Sequence, residues 1–292
     1  MGGNDTAARR RREIELIREV AATTRKAVVT GPAGSRLWDI ATYRWVEQVD
    51  LVIPGSSKSW GSHRTFSDRV YRSGSLGEDS ILQCMGIRVA TGIRCLYDSY
   101  RYYGRTEALV QIESARAQFD LTAATLLDQS QALPSGRGIR GFRELIQYSG
   151  GLSFSPLETL KRDALLRAIQ KGQLRGVVTM EYQIGFFIAN EDGGPGLAWV
   201  DILINGFIAI EADGLVKKDG TYGDAVDKTL LERHREVELQ KRGAIVLRTS
   251  WHERNEQFIE HVQLAIDLNP GTRVLPNRSE ETYREFLTRI GR

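Results

Sequence analysis

The run Val200-Asp201-Ile202-Leu203-Ile204-Asn205-Gly206-Phe207-Ile208-Ala209-Ile210-Glu211-Ala212-Asp213-Gly214 decides the reading of this chain. Two apolar stretches flank Asn205-Gly206, a pair that favours a β-hairpin because both residues adopt positive φ readily. Register then sorts the side chains. A two-residue turn sets Asp201 against Ile210 and mixes polar with apolar residues on each face. One extra residue in the turn sets Ile202 against Ile210 and Ile204 against Ile208, and leaves Asp201, Leu203, Ala209, Glu211 and Asp213 on the other face. This second register is the cleaner, and it predicts Asp201 opposite Glu211 with Asp213 beside them. Like charges so placed raise one another's pKa and cost stability unless a cation neutralises them. A divalent ion is the simplest neutraliser, since Mg²⁺ takes one or two carboxylates together with waters and phosphate oxygens. Each acid taken singly also has an ordinary reading: Asp213-Gly214 as a turn, Asp201 at a solvated strand edge, Glu211 paired with a nearby arginine.

Outward from the hairpin the pattern is α/β. Ser155-Pro156-Leu157-Glu158 opens a helix with serine at the N-cap, proline at N1 and glutamate at N3, a capping box. Val177 to Tyr182 predicts a strand, and Trp199 to Ile204 and Ile208 to Ala212 predict the two arms of the hairpin. Asp224 to Arg242 predicts a polar-faced helix stopped by Gly243 at C′, followed by the strand Ile245-Val246-Leu247-Arg248. The expected architecture is a mixed sheet flanked by helices. Upstream, helices through about Lys26 and from Ser35 to Tyr43 precede strands at Val49 to Ile53, Arg69 to Tyr71 and Ile87 to Ala90, and a helical block runs from Cys95 to Gly150. The Gly150-Gly151 pair offers a seam, so the expected modules are a smaller α+β part over 1–150 and an α/β part over 151–292.

The chain has 292 residues, 41% hydrophobic and 26% charged, with no run of 18 apolar residues and no signal-peptide core after Arg9 to Arg12. A cytoplasmic protein with no membrane segment is expected. Cys84 and Cys95 form no CxxC pair, and His63, His234, His252 and His261 make no HExxH, so neither zinc nor a disulfide scaffold is indicated. No phosphate-binding loop or dinucleotide fingerprint is present; Gly193-Gly194-Pro195-Gly196 precedes a strand and reads as a turn. Net charge is only +3, but residues 1–150 hold 21 Lys and Arg against 16 Asp and Glu, while 151–292 hold 19 against 21. A basic part beside an acid-bearing one suits phosphate contact joined to cation binding, and it also suits many ordinary enzymes.

The C-terminal run resembles the PD-(D/E)XK nuclease superfamily, in particular its very-short-patch-repair-like endonuclease branch. The resemblance covers about residues 153–255. Asp201 matches the acid opening one strand, Glu211-Ala212-Asp213-Gly214 the element closing the next, and Lys217-Lys218 a basic position soon after. Glu232-Arg233-His234-Arg235-Glu236 matches a long Glu/Arg-rich helix, and Leu247-Arg248-Thr249-Ser250-Trp251 the following strand end. The resemblance implies a restriction-endonuclease-like fold with Asp201, Glu211 and Glu158 on Mg²⁺ or Mn²⁺, Asp213 orienting the site, and Lys217 or Lys218 stabilising phosphate charge. The superfamily's lysine position, two after the glutamate, is Asp213 here. Glu158 is equally explained by its capping box, and Lys217-Lys218 by a solvated loop.

Residues 27–150 resemble, more weakly, the region ahead of this module in abortive-infection-type antitoxins, through Ala33-Gly34-Ser35-Arg36-Leu37-Trp38, and through Gly86-Ile87-Arg88-Val89-Ala90-Thr91 leading to Leu96-Tyr97-Asp98. Too few residues precede Ala27 for a winged helix. Arg9, Arg10, Arg11 and Arg12 either track phosphates or form a solvated charge run, and Arg235 either reaches a DNA phosphate or pairs along its helix. The expectation is a Mg²⁺-dependent DNA endonuclease or nickase, acting with DNA and, for double-strand cuts, as a homodimer or with a partner protein of a defence or repair system. Its rivals are a catalytically inactive, antitoxin-like DNA-binding regulator and an unrelated small-molecule metal hydrolase.

Overall fold

The structure is a computed structural model, and it describes residues 3–55, 66–151, 153–190, 193–213 and 225–290. The protein is α/β, with two mixed sheets flanked by helices. It divides into two compact units, Asp5–Thr159 and Leu160–Arg292 with Met1–Asn4. The division falls inside a helix, beyond Gly150-Gly151, and the N-terminal unit, expected to be the smaller, is the longer.

In the N-terminal unit, helix α1 (Gly3–Ala22) leads to β1 (Val28–Thr30), α2 (Gly31–Leu37), β2 (Val49–Val52), β3 (Arg69–Tyr71), β4 (Ile81–Cys84) and β5 (Ile87–Ala90). Helices α3 (Gly92–Tyr103), α4 (Arg105–Phe119), α5 (Ala123–Gln129) and α6 (Ile139–Tyr148) follow. The sheet runs β3-β2-β1-β5-β4, with β1·β5 and β2·β3 parallel. Helix α2 begins earlier than Ser35 because Gly31 takes φ 59° directly after β1, where a Cβ would stand 3.0 Å from Asp50 Oδ2. Val28, Val49, Leu51 and Val89 fill the core between sheet and helices. Charged groups are buried beside them in closed pairs. Asp98 receives Arg94 Nε at 2.8 Å and the Thr30 hydroxyl at 2.7 Å, and Asp50 receives Arg72 Nε at 2.6 Å and the Tyr103 hydroxyl at 2.8 Å.

The C-terminal unit is built on α7 (Pro156–Gln170), β6 (Met180–Ala189), β7 (Pro195–Ile204), β8 (Ile208–Asp213), α8 (Ala225–Lys241), β9 (Ile245–Ser250), α9 (Asn255–Leu268) and α10 (Tyr283–Arg289), the first turn of α7 belonging to the other unit. Its sheet runs β6-β7-β8-β9, antiparallel through β8 and parallel between β8 and β9, as a helical crossover requires. Ile202, Ile204, Ile208 and Ile210 are buried on one face and Leu203 and Ala209 on the other, so both faces are covered. Each such Ile or Leu stabilises by roughly 1.5–3 kcal/mol. Helix α8 ends at Lys241, with Gly243 at φ 92° as expected.

The hairpin takes the register with one extra residue: Ile202 pairs with Ile210, Leu203 with Ala209 and Ile204 with Ile208. Asn205 and Gly206 have φ 53° and 76°, and the Phe207 N–H donates to Ile204 O at 3.2 Å. Phe207 is the extra residue, and its carbonyl is used by the Ile245 N–H at the start of β9. The turn is locked from outside. Asn205 Oδ1 accepts from the Val178 and Thr179 amides, and a Cβ on Gly206 would stand 2.0 Å from the Arg273 carbonyl oxygen. The strand expected over Val177 to Tyr182 therefore starts at Met180, because Asn205 holds Val178 and Thr179 from the turn; it then runs on to Ala189. The edge of β6 is covered by the C-terminal segment, through Phe187 N–H to Asn277 O and Ser279 N–H to Gly185 O, both 2.8 Å.

Candidate functional site

Strands β7 and β8 part company at Asp201. Toward the turn they are paired; on the far side β7 pairs only with β6, along Val200 to Pro195, and β8 pairs only with β9, along Glu211 to Asp213. The Ala212 N–H, which a continued ladder would give to β7 backbone, donates instead to Asp201 Oδ2 at 2.8 Å. The other ladder breaks at the same place. Tyr182 pairs with Ile202 and Ile184 with Val200, while Gln183, between them, takes φ 50° and aims its amide at Asp201 Oδ1, 3.3 Å away. A left-handed conformation in a non-glycine strand residue costs about 1–2 kcal/mol, and such strain gathers where a side chain must be re-aimed.

The parted strands carry Glu211 and Asp213 on β8, and Arg248 on β9 stands in register with Glu211. Its guanidinium lies 3.5 Å from Glu211, 3.3 Å from Asp213, 3.5 Å from Glu232 and 3.1 Å from Glu236. Glu232 and Glu236 are one turn apart on α8, so one arginine answers four acids. Burial works to lower its pKa, but the acids, Asp213 and Glu211 foremost, outweigh this and hold it above its already high ordinary value. The pairing of Glu211 with a nearby arginine, one of the ordinary readings of the sequence, is therefore present.

Asp201 and Glu211 are brought to adjacent strands, but the ladder ends before they become a backbone pair, because Asp201 turns its carboxylate to the Ala212 N–H. Among the described residues no group of three or more His, Cys, Asp or Glu is arranged to hold a metal ion. Glu158 is buried and serves its helix start, with Oε2 accepting from the Phe154 N–H at 2.9 Å and Ser155 Oγ accepting from its own N–H at 3.2 Å. It falls with the N-terminal unit. Lys217 and Lys218 lie outside the described residues. Arg235 is half-buried, and its Nη2 donates to the Trp199 carbonyl at 3.0 Å, a β7 group beyond the point where the strands part. His234 does likewise for Ala189 O at 2.8 Å, so α8 is stapled to the strand ends. Arg9 to Arg12 are exposed on α1, with Arg9 over the Trp45 ring at 4.7 Å and 3.5 Å from Glu47. Gln183 was not legible in the sequence; a glutamine inside an alternating strand gives no sign that it will adopt positive φ.

A cavity of about 690 Å³ belongs to the N-terminal unit and is lined mainly by apolar residues, among them Trp38, Ile93, Leu96, Phe119 and Leu126, with Asp79 and Arg94 also on its wall. No helix among the described residues is long and apolar enough to cross a membrane. Comparison with family models, curated proteins and solved structures finds no match to this chain.

Proposed function

We propose that the C-terminal unit is a metal-dependent DNA endonuclease or nickase of the PD-(D/E)XK type. The observation that carries this reading is the double interruption at Asp201: the β7·β8 ladder ends there and the β6·β7 ladder skips that one position, a strained Gln183 and a backbone amide fix its carboxylate, and a buried Glu211 stands on the adjacent strand end. The order helix, three strands, helix, strand agrees with what the sequence resemblance implies. Two hard carboxylates are a donor set that suits Mg²⁺ or Mn²⁺, which need one or two such ligands beside water and phosphate. Asp201 and Glu211 would hold the ion, with Asp213 beside them. When bound, the ion polarises the phosphodiester and lowers the pKa of a water. Free Cys84 and Cys95 go with a reducing, cytoplasmic setting.

Incubation of supercoiled plasmid with Mg²⁺ or Mn²⁺ tests the reading. Wild type is expected to nick or linearise the DNA, with Asp201→Ala and Glu211→Gln leaving it intact while still binding it. The Arg248 contacts favour a second reading, a DNA-binding regulator with the nuclease architecture and no catalysis, in which arginine fills the metal's electrostatic role permanently. Wild type that retains DNA in a gel but never cuts it, with either ion, selects that reading and rejects the first.

A further inference from the structure

Position 213, two after Glu211, carries an acid where the nuclease reading calls for a cation, and the cation nearest to that acid among the described residues comes from the neighbouring strand. Arg248 Nη1 lies 3.3 Å from Asp213 Oδ2 and its Nη2 3.5 Å from Glu211 Oε2. The parallel register fixes this, since Glu211 pairs with Arg248 and Asp213 with Ser250, two residues on. We infer that Arg248 supplies the phosphate-holding positive charge of this site, in place of a lysine on β8; the inference rests on the nuclease reading above.

The charge balance explains how one side chain fills two roles. Without a divalent ion the four acids hold the guanidinium among themselves. A divalent ion held by Asp201 and Glu211 would take over Glu211, one of the four acids that Arg248 answers, and would leave the guanidinium freer to turn its fork toward an anionic phosphate oxygen. The side chain is about one-third exposed, which gives it a path to do so. Glu232 and Glu236 remain to steer it, because they project from the helix and not from the strands that carry the ion's ligands.

Three measurements on the full-length protein test this. With Ca²⁺ in place of Mg²⁺, so that DNA binding is read without turnover, Arg248→Gln is expected to weaken binding of a duplex by about 10-fold and to lower the slope of log affinity against log salt by about one. Divalent binding by calorimetry is expected to tighten in the same variant, because a competing cation is gone. Cleavage is expected to fall by roughly 10²-fold, with Arg248→Lys restoring part of it and Lys217→Ala/Lys218→Ala costing far less. Thermal unfolding of each variant controls for folding. A wild-type protein that binds no divalent ion and cuts nothing sinks the nuclease reading itself. A wild type that cuts, with Arg248→Gln matching it in salt slope and rate, sinks only the assignment of Arg248, and a lysine double variant that loses as much as Arg248→Gln does so as well.

Discussion

The two units treat charge in opposite ways. In the N-terminal unit Asp98 is fully buried and answered by Arg94, Arg101 and the Thr30 hydroxyl, and Asp50 by Arg72 and Tyr103. Acid and base are matched and closed off from water. In the C-terminal unit one half-buried arginine faces four acids at a place where two strands separate. Matched, sealed ions serve a fold, because removing one partner leaves an uncompensated charge in a low dielectric. Four acids sharing one arginine at a ladder break bring an electrostatic cost that a cation from solution relieves, which is why the second arrangement and not the first suggests chemistry.

The largest expected effect breaks the comparison at its structural end. Asp98→Ala strands Arg94 inside the protein and should cost about 3–5 kcal/mol in urea unfolding. Glu211→Gln, read in the same way without divalent ions, should change stability by about 1 kcal/mol or less, because it removes one of several crowded negative charges. Equal losses for the two would mean that Glu211 is as structural as Asp98.

A smaller effect sharpens the comparison through pH. Burial pushes the Asp50 carboxyl up, against the pull of Arg72 and Tyr103. A carboxyl raised in the folded state adds stability as pH falls through its folded pKa, and the gain levels off below the unfolded value of about 3.9. Glu238 on α8 runs the other way. Hydrogen bonds from Lys241 and Arg242 hold it down to about 2, so its contribution is present above the unfolded value and is lost as pH falls from about 4.3 toward about 2. Acid titration followed by thermal melts should therefore show Glu238→Gln flattening the loss of stability below about pH 4, and Asp50→Asn leaving that limb in place. An acid limb indifferent to Glu238→Gln would remove this contrast.

The hairpin was legible because its apolar residues admit only one register that sorts them. Ile202, Ile204, Ile208 and Ile210 can share a face only if the turn carries an extra residue, and Phe207 is that residue. The stop of α8 at Gly243 was legible for a similarly local reason. What escaped depends on partners distant in sequence. The early start of α2 goes with the positive φ of Gly31, where a Cβ would crowd Asp50, and the late start of β6 with Asn205 reaching back to Val178. At the site, the order of the acids along the chain was legible, but not the parting of β7 from β8, where Asp201 takes the Ala212 N–H. Nor did the sequence show that Arg235 would donate to the Trp199 carbonyl beyond the parting.

The central claim is that Asp201 and Glu211, carried on adjacent strands where β7 and β8 part, hold a divalent ion. Crystals soaked in Mn²⁺ and recorded at the manganese absorption edge test it most directly. An anomalous peak bonded to both carboxylates is expected, with the Arg248 guanidinium drawn away from Glu211. Arg248 still bridging Glu211 and Asp213, with no anomalous signal beside Asp201 at millimolar Mn²⁺, would contradict it.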